Sequence, residues 1–160
     1  MMEQLHKYVA ISTASPTGLV WIARPHFGKG GYVEVGAPAF TARCSDGYYR
    51  GQLNKQQICA HVAVFYLTHG YRPSIVDHID GNPSNNHPDN LRPANYSTNA
   101  HNSICKGYDL HKCGKYRVRI AVDGKRKHIG LFNTEQEARA AYLAAKAELH
   151  PTAPQRCFNK

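Results

Sequence analysis

The sequence predicts an α+β protein built from small sheets and short helices. Three observations predict this class. A β-prone run leads into a segment rich in Asn, Asp, Gly and Pro, residues 116–121 alternate apolar and basic side chains, and a helix-capping signal lies near residue 134. We divide the 160 residues into a β-rich lead-in (1–57), a first module (58–104), a second module (105–150) and a tail (151–160) that we expect to be loosely ordered.

The lead-in is predicted to be mainly extended. Residues 19–22 and 47–53 have strand-forming compositions, and the Gly-Lys-Gly-Gly sequence at 28–31 is a flexible turn signal between them. We consider three basic side chains of the lead-in for contacts with the backbone of a polyanion: Arg24, Lys29 and Arg50.

A mainly apolar helix is predicted over residues 58–70. Apolar side chains recur there at three- and four-residue spacing, and Gly70 is a typical C-terminal stop. His61 lies on this helix, where we interpret it as a hydrogen-bonded core or surface histidine rather than as a metal ligand.

Two short strands and a helix are predicted next. Residues 74–76 are β-prone and end at Asp77, and residues 91–94 return as a second strand whose proline is tolerable at a sheet edge. Ser97 or Thr98 then offers the N-cap of a helix. This arrangement is small and has little core of its own.

The polar side chains between the two strands have the chemistry that phosphodiester hydrolysis needs. That reaction requires an activated water, a cation to neutralise the charge that develops on the phosphate and leaving oxygen, and rigid positioning of both. Asp77 offers a carboxylate to a hard cation such as Mg²⁺, and the adjacent His78 can accept a proton from water near pH 7. Turn-forming chemistry accounts for Asn82, Asn85 and Asn86, which we interpret as structural.

Residues 70–102 resemble the HNH endonuclease family, in the asparagine-ended branch found in phage and intron-associated homing endonucleases. The matching pattern is D-H-I-D-G-N-x-x-N-N-x-x-x-N-L-R, followed by N-x-x-N. The resemblance implies a ββα-metal core in which Asp77 and Asn99 bind the metal and His78 is the general base. By the same resemblance, Asn90 braces the loop that carries His78.

The cation that this resemblance implies is Mg²⁺, with Mn²⁺ as the alternative. The last motif position is Asn99 rather than histidine, which favours a hard, oxygen-liganded cation over zinc. His101 and Asn102 are secondary candidates for the same site. Asn95 stands where the family usually has threonine.

The second module is predicted to be a basic hairpin. Residues 106–127 contain eight Lys/Arg against two Asp, a local net charge of +6 that suits a polyanion. Alternation over 116–121 places Arg117 and Arg119 on the face opposite Val118. A turn follows at 123–124, and the returning strand carries Arg126 and His128 outward.

A helix is predicted to cover the apolar face of this hairpin. Residues 134–137, Thr-Glu-Gln-Glu, form a capping box. The helical stripe that follows consists of small and apolar side chains: Ala138, Ala141, Tyr142, Ala145 and Leu149.

About 45 residues of this module resemble the APETALA/ethylene-response-factor DNA-binding domain, a three-stranded sheet packed on one helix. The matching residues include Lys106-Gly107-Tyr108, Gly114-Lys115-Tyr116, Ile129-Gly130-Leu131-Phe132 and Ala141-Tyr142. The resemblance implies that the exposed sheet face reads the major groove of DNA, where arginine contacts guanine and lysine mostly holds phosphate. The contacts implied here are made by His111, Lys115, Arg117, Arg119, Arg126 and His128.

This sequence departs from the plant members of the family at positions 109 and 111, where Asp109 and His111 replace arginine. Cys113 replaces a usual tryptophan. The target sequence therefore cannot be transferred from the family. The alternative interpretation of the module is a solvated basic hairpin that has no specific partner.

Composition agrees with an acidic partner. The net charge of +9 indicates an acidic partner, and the absence of an apolar run of about 18 residues excludes a membrane span. The partner that the two resemblances imply is double-stranded DNA. Five cysteines without a C-x-x-C pair predict neither a disulfide framework nor a ribbon-type zinc site. We expect a monomer or homodimer with no evident protein partner, in the cytoplasm of a host bacterium that carries a phage.

Together the residues and resemblances predict a metal-dependent DNA endonuclease of the HNH homing type, directed to its site by the second module. One alternative is a DNA-binding regulator that has an HNH-like fold without catalysis. Another is a defensive or toxic nuclease that cuts without site preference.

Overall fold

A computed structural model describes residues 2–23 and 33–159 of the chain, which divide into two compact units, 1–93 and 94–160. The turn predicted at 28–31, and with it Arg24 and Lys29, lies outside the described residues. Small sheets and a few helices make up both units, so the α+β class is confirmed. None of the described helices has the length and apolar character that crossing a membrane would need.

The first unit contains most of the strands, two helices and two short 3-10 segments. Its elements are α1 (Leu5–Tyr8), β1 (Val9–Ile11), β2 (Leu19–Trp21), β3 (Ala42–Arg43), β4 (Tyr49–Leu53), β5 (Gln56–Cys59), α2 (Ala60–His69), β6 (Ile75–His78) and most of β7 (Leu91–Ala94), with 3-10 turns at Met2–Gln4 and Pro88–Asn90. The strands form three small sheets, of order β1-β2, β3-β4-β5 and β6-β7.

One hydrophobic cluster runs through the first unit. It extends from Leu5 to Leu91 and includes Trp21, Phe40 and Phe65, all buried. The helix α2 ends where Gly70 adopts a left-handed conformation (φ 76°) and its N–H bonds the carbonyl of Tyr66, as the sequence predicted. The lead-in and α2 therefore share a single core, against which β6 also packs.

The second unit is a three-stranded antiparallel sheet with a helix on one face. Its elements are α3 (Tyr96–His101), β8 (Tyr108–Leu110), β9 (Tyr116–Val122), β10 (Lys125–Phe132) and α4 (Glu135–Leu149), with a 3-10 turn at Gln155–Cys157. The strand order is β10-β9-β8. Asp123 and Gly124 both adopt left-handed conformations (φ 49° and 75°), which a two-residue hairpin turn requires.

The predicted apolar face and its covering helix are present. Val118 and Ile120 of β9 pack with Ala138 and Tyr142 of α4 in a separate hydrophobic cluster. The capping box at the start of α4 forms as predicted, since the Thr134 hydroxyl accepts from the Glu137 N–H and the Glu137 carboxylate accepts from the Thr134 N–H.

Two sequence predictions in this unit are wrong. The N-cap of α3 is Asn95, not Ser97 or Thr98: the Asn95 side chain accepts from the Thr98 N–H, and the Thr98 hydroxyl accepts from the Asn95 N–H. Asparagine is as good an N-cap as serine, so this substitution for threonine preserves the cap. The tail is also ordered, because Cys157 is buried and Arg156 donates hydrogen bonds to Asn102.

Candidate active site

Asp77 and His78 are the last two residues of strand β6 and lie in the interior of the first unit. Only 7% of Asp77 and 3% of His78 is exposed. The β-branched run before them forms the strand as predicted, and strand β7 pairs beside it. The carbonyl of His78 accepts from the Gly81 N–H, which starts the loop toward β7.

Arg92, on β7, pairs with the carboxylate of Asp77. Its Nε donates to Oδ2 at 2.9 Å, and Nη2 lies at the same distance from that oxygen. The pair is mostly shielded from solvent, so the arginine neutralises a carboxylate that would otherwise be costly to bury. The sequence analysis did not single out Arg92, although it ends the Asn-Leu-Arg part of the motif.

The His78 ring has a hydrogen-bond partner that the sequence analysis assigned only a structural role. Its Nε2 lies 3.0 Å from Oδ1 of Asn86, which is itself only 3% exposed. The Asn86 side chain continues to the carbonyl of Thr17, to which Nδ2 donates at 2.9 Å. Thr17, a residue of the N-terminal lead-in, thus accepts a hydrogen bond from Asn86, which in turn contacts the predicted base His78.

Two aromatic rings contact the same imidazole. The ring centroids of His61 and Tyr48 lie 5.0 and 5.7 Å from that of His78, and 5.0 Å from each other. Burial, followed by the nearby charges of Asp46 and Asp77, raises the pKa of the Tyr48 phenol. Tyr48 therefore stays neutral near pH 7.

His61 lies on α2 with its ring buried, and its Nδ1 has no hydrogen-bond partner among the described residues. Burial is the main reason that the pKa of His61 falls to about 4, and His78 and Arg50 add to the effect. The sequence analysis expected a hydrogen-bonded core or surface histidine. The structure places His61 in the core, where its neutral ring packs against the predicted base.

Asn90 holds the loop between the two strands. Its Oδ1 accepts from the Asp80 N–H at 3.0 Å, and its Nδ2 donates to the Asp80 carboxylate and to the carbonyl of Asn85. Burial raises the pKa of Asp80, but hydrogen bonds from the Asn82 N–H and from the Asn85 and Asn90 amides outweigh it, so the pKa of Asp80 is lowered overall. The Asn90 side chain therefore bonds Asp80 and Asn85, two residues of the loop that follows His78.

Asn99 is an exposed residue of α3, in the second unit. The two secondary candidates beside it are buried among residues of that unit. The His101 ring stacks on His150 at 4.1 Å and its Nδ1 lies 2.7 Å from the Thr152 hydroxyl, while Asn102 accepts from Arg156. These contacts give His101 and Asn102 structural partners.

The Asp77 carboxylate is the type of ligand that a hard cation prefers. No group of three or more His, Cys, Asp or Glu side chains in the described ranges is arranged to hold a metal ion. A carboxylate with amide oxygens, phosphate and water is a donor set that Mg²⁺ accepts and that structural zinc does not. The five cysteines are free thiols.

Four basic residues of the second unit, Arg117, Arg119, Arg126 and His128, share one face of its sheet. The register pairs Arg119 with His128 and Ala121 with Arg126, so these side chains lie on the side opposite Val118. The face also contains an acid, because Arg117 and Arg119 donate to the two oxygens of Asp109 at 2.6 and 2.9 Å. The hydrogen bond from Arg117, and then that from Arg119, lower the pKa of Asp109.

His111 and Lys115 lie in the turn that precedes β9. The His111 N–H donates to the Lys115 carbonyl, and Nδ1 of His111 lies 3.0 Å from the Cys113 thiol.

Residues 59–103 match the family model described as HNH endonuclease. The matched segment contains Asp77, His78, Asn90 and Asn99, and it covers less than half of the chain. No curated protein and no solved structure matches this chain. The match supports a nuclease domain in the segment that carries the buried Asp77–His78 pair.

Proposed function

We propose that this protein is a metal-dependent DNA endonuclease that hydrolyses phosphodiester bonds. The observation that carries the proposal is the HNH family match over residues 59–103, within which Asp77 and His78 are adjacent on β6 and His78 is held by a buried hydrogen bond. The net charge of +9 supports DNA as the substrate.

In the proposed reaction, the Asp77 carboxylate would help to hold a divalent cation, Mg²⁺ or Mn²⁺. When bound, the cation neutralises charge on the scissile phosphate and on the leaving oxygen. His78 accepts a proton from the attacking water, and Asn90 keeps the loop after His78 in place. The products are a 5′-phosphate and a 3′-hydroxyl.

We further propose that the second unit selects the cleavage site. Arg117, Arg119, Arg126 and His128 occupy one sheet face, and His111 and Lys115 lie in the turn before β9. Arginine on such a face can bond guanine edges in the major groove, while lysine holds phosphate. A chain that both selects and cuts a site fits a homing role.

The decisive experiment incubates the full chain with supercoiled plasmid, with Mg²⁺ or with EDTA. We expect Mg²⁺-dependent nicking that His78→Ala abolishes while DNA binding in a gel shift is retained. The control is His6→Ala, an exposed histidine of the same unit, which should cut as the native protein does. Normal cutting by His78→Ala would exclude His78 as the base.

One observation favours a second candidate, a DNA-binding regulator without catalysis. Arg92 already neutralises Asp77, so the predicted metal ligand has a cationic partner from the protein itself. A regulator would shift the plasmid in a gel without nicking it at any Mg²⁺ or Mn²⁺ concentration. Nicking by the native chain would reject this candidate.

A further inference from the structure

We infer that Asn86 is a positioning residue that decides which imidazole nitrogen of His78 carries the proton. The inference deepens the proposed function and rests on it, since it concerns the atom of His78 that would take a proton from water. Asn86 lies outside the set of residues to which the family pattern assigned a role.

The orientation of the Asn86 amide follows from its two partners. The carbonyl oxygen of Thr17 can only accept, so the atom that faces it at 2.9 Å must be the donor Nδ2. The other end of the amide is then Oδ1, which can only accept, and it lies 3.0 Å from Nε2 of His78. Nε2 must therefore carry the hydrogen.

This assignment leaves Nδ1 as the lone-pair nitrogen of the neutral ring. A general base acts through a lone pair, so the atom of His78 that accepts the proton is Nδ1. Without the amide, Nε2–H loses the acceptor that favours this tautomer, so a larger fraction of the molecules should carry the hydrogen on Nδ1.

The amide is held firmly enough for this role. Asn86 and Thr17 are buried, and the Thr17 hydroxyl donates to the carbonyl of Ala39 at 2.6 Å. Gly18, at φ 79°, allows the loop to approach closely, since a Cβ there would lie 3.0 Å from the backbone oxygen of Asn86. The segment before β2 therefore fixes the amide from the side opposite His78.

A spectroscopic test reads the proton position directly, without activity. In the native chain, two-bond ¹H–¹⁵N correlation at about pH 9 distinguishes the two tautomers of a neutral imidazole. The His78 signal is the one that disappears in His78→Ala. We expect Nε2–H in the native protein and a mixture of tautomers in Asn86→Ala; a native Nδ1–H tautomer overturns the inference.

A kinetic test uses three variants. Asn86→Ala should lower the plasmid nicking rate by about 10- to 100-fold with DNA affinity unchanged, in line with losses seen when the partner of a functional histidine is removed. Asn86→Asp keeps an acceptor for Nε2–H, so it should keep the native tautomer and recover part of the rate. The matched control is Asn82→Ala, an exposed asparagine of the same loop whose side chain accepts a hydrogen bond from the Ser84 N–H.

These measurements separate the inference from the function on which it rests. Folding of each variant is checked by the fluorescence of Trp21, a buried residue of the same unit and the single tryptophan of the chain. If the native chain nicks DNA through His78 but Asn86→Ala keeps both the tautomer and the rate, the inference fails and the function stands. If the native chain does not cut, the function fails, and the tautomer spectrum still decides the role of Asn86.

Discussion

The buried ring of His61 predicts that the first unit loses stability in mild acid. Its pKa is about 4 in the folded chain, against roughly 6.5 in an unfolded one, so below about pH 6.5 the unfolded state binds a proton that the folded state does not. The free energy of unfolding should therefore fall by about 2 kcal/mol from pH 7 to pH 5 and by about 3 kcal/mol from pH 7 to pH 4.

The assay is urea denaturation followed by Trp21 fluorescence, which reports on the first unit alone. His61→Phe keeps an aromatic ring beside Tyr48 and His78 but has no group there that titrates. Its free energy of unfolding should therefore not show the decrease below pH 7 that His61 causes in the native chain. A constant packing penalty at all pH values does not affect the comparison. His6→Ala, the exposed control, should lose as much as the native chain, and parallel curves for His61→Phe and the native chain would refute the argument.

Three further predictions concern DNA binding, folding and the cation. Asp109→Asn should release Arg117 and Arg119 to bind phosphate, which makes the slope of log K for DNA binding against log[salt] steeper by about 0.9 to 1.8. Fluorescence anisotropy from low to moderate salt measures this slope, and an unchanged slope would show that Asp109 does not keep these arginines from DNA. Gly107→Ala should destabilise the second unit by about 2 to 5 kcal/mol, because residue 107 has a φ of 81° and its new Cβ would lie 2.1 Å from the Tyr142 ring. Denaturation followed by circular dichroism should show this loss of stability, while the transition followed by Trp21 fluorescence should not change. EDTA should stop nicking and excess Mg²⁺ should restore it, whereas failure of added cation to restore cutting would argue against a metal-dependent step.

Local patterns predicted the secondary structure of the second unit well. The alternation over β9, the turn at 123–124 and the capping box of α4 are all local signals, and each gives the element that it predicts. Lys146 was missed because its contact is not local: its ammonium, buried on α4, donates to the carbonyl of Ser103, 43 residues away. A basic residue late in a helix gives no sequence signal that distinguishes it from a solvated one.

The candidate site divides in the same way. Asp77 and His78 stand out because their order and spacing carry the motif, and a strand forms there as predicted. Asn86 looked like one of several turn asparagines, since its partners are distant in the sequence: Thr17 lies 69 residues before it. His61 was discounted for a related reason, because only the packing of α2 against β6 brings its ring to His78.

The polar contacts of Asn86 also indicate a structural role for the first 57 residues. The family match begins at residue 59, yet the amide that bonds His78 is anchored on Thr17, and the core that surrounds the site begins at Leu5. Removal of the lead-in would expose the buried side of α2 and leave the Asn86 amide without its acceptor. The matched segment therefore depends on the lead-in for both its core and the orientation of its predicted base, so the smallest part of this chain that can keep His78 in its native state includes the N-terminal sheets.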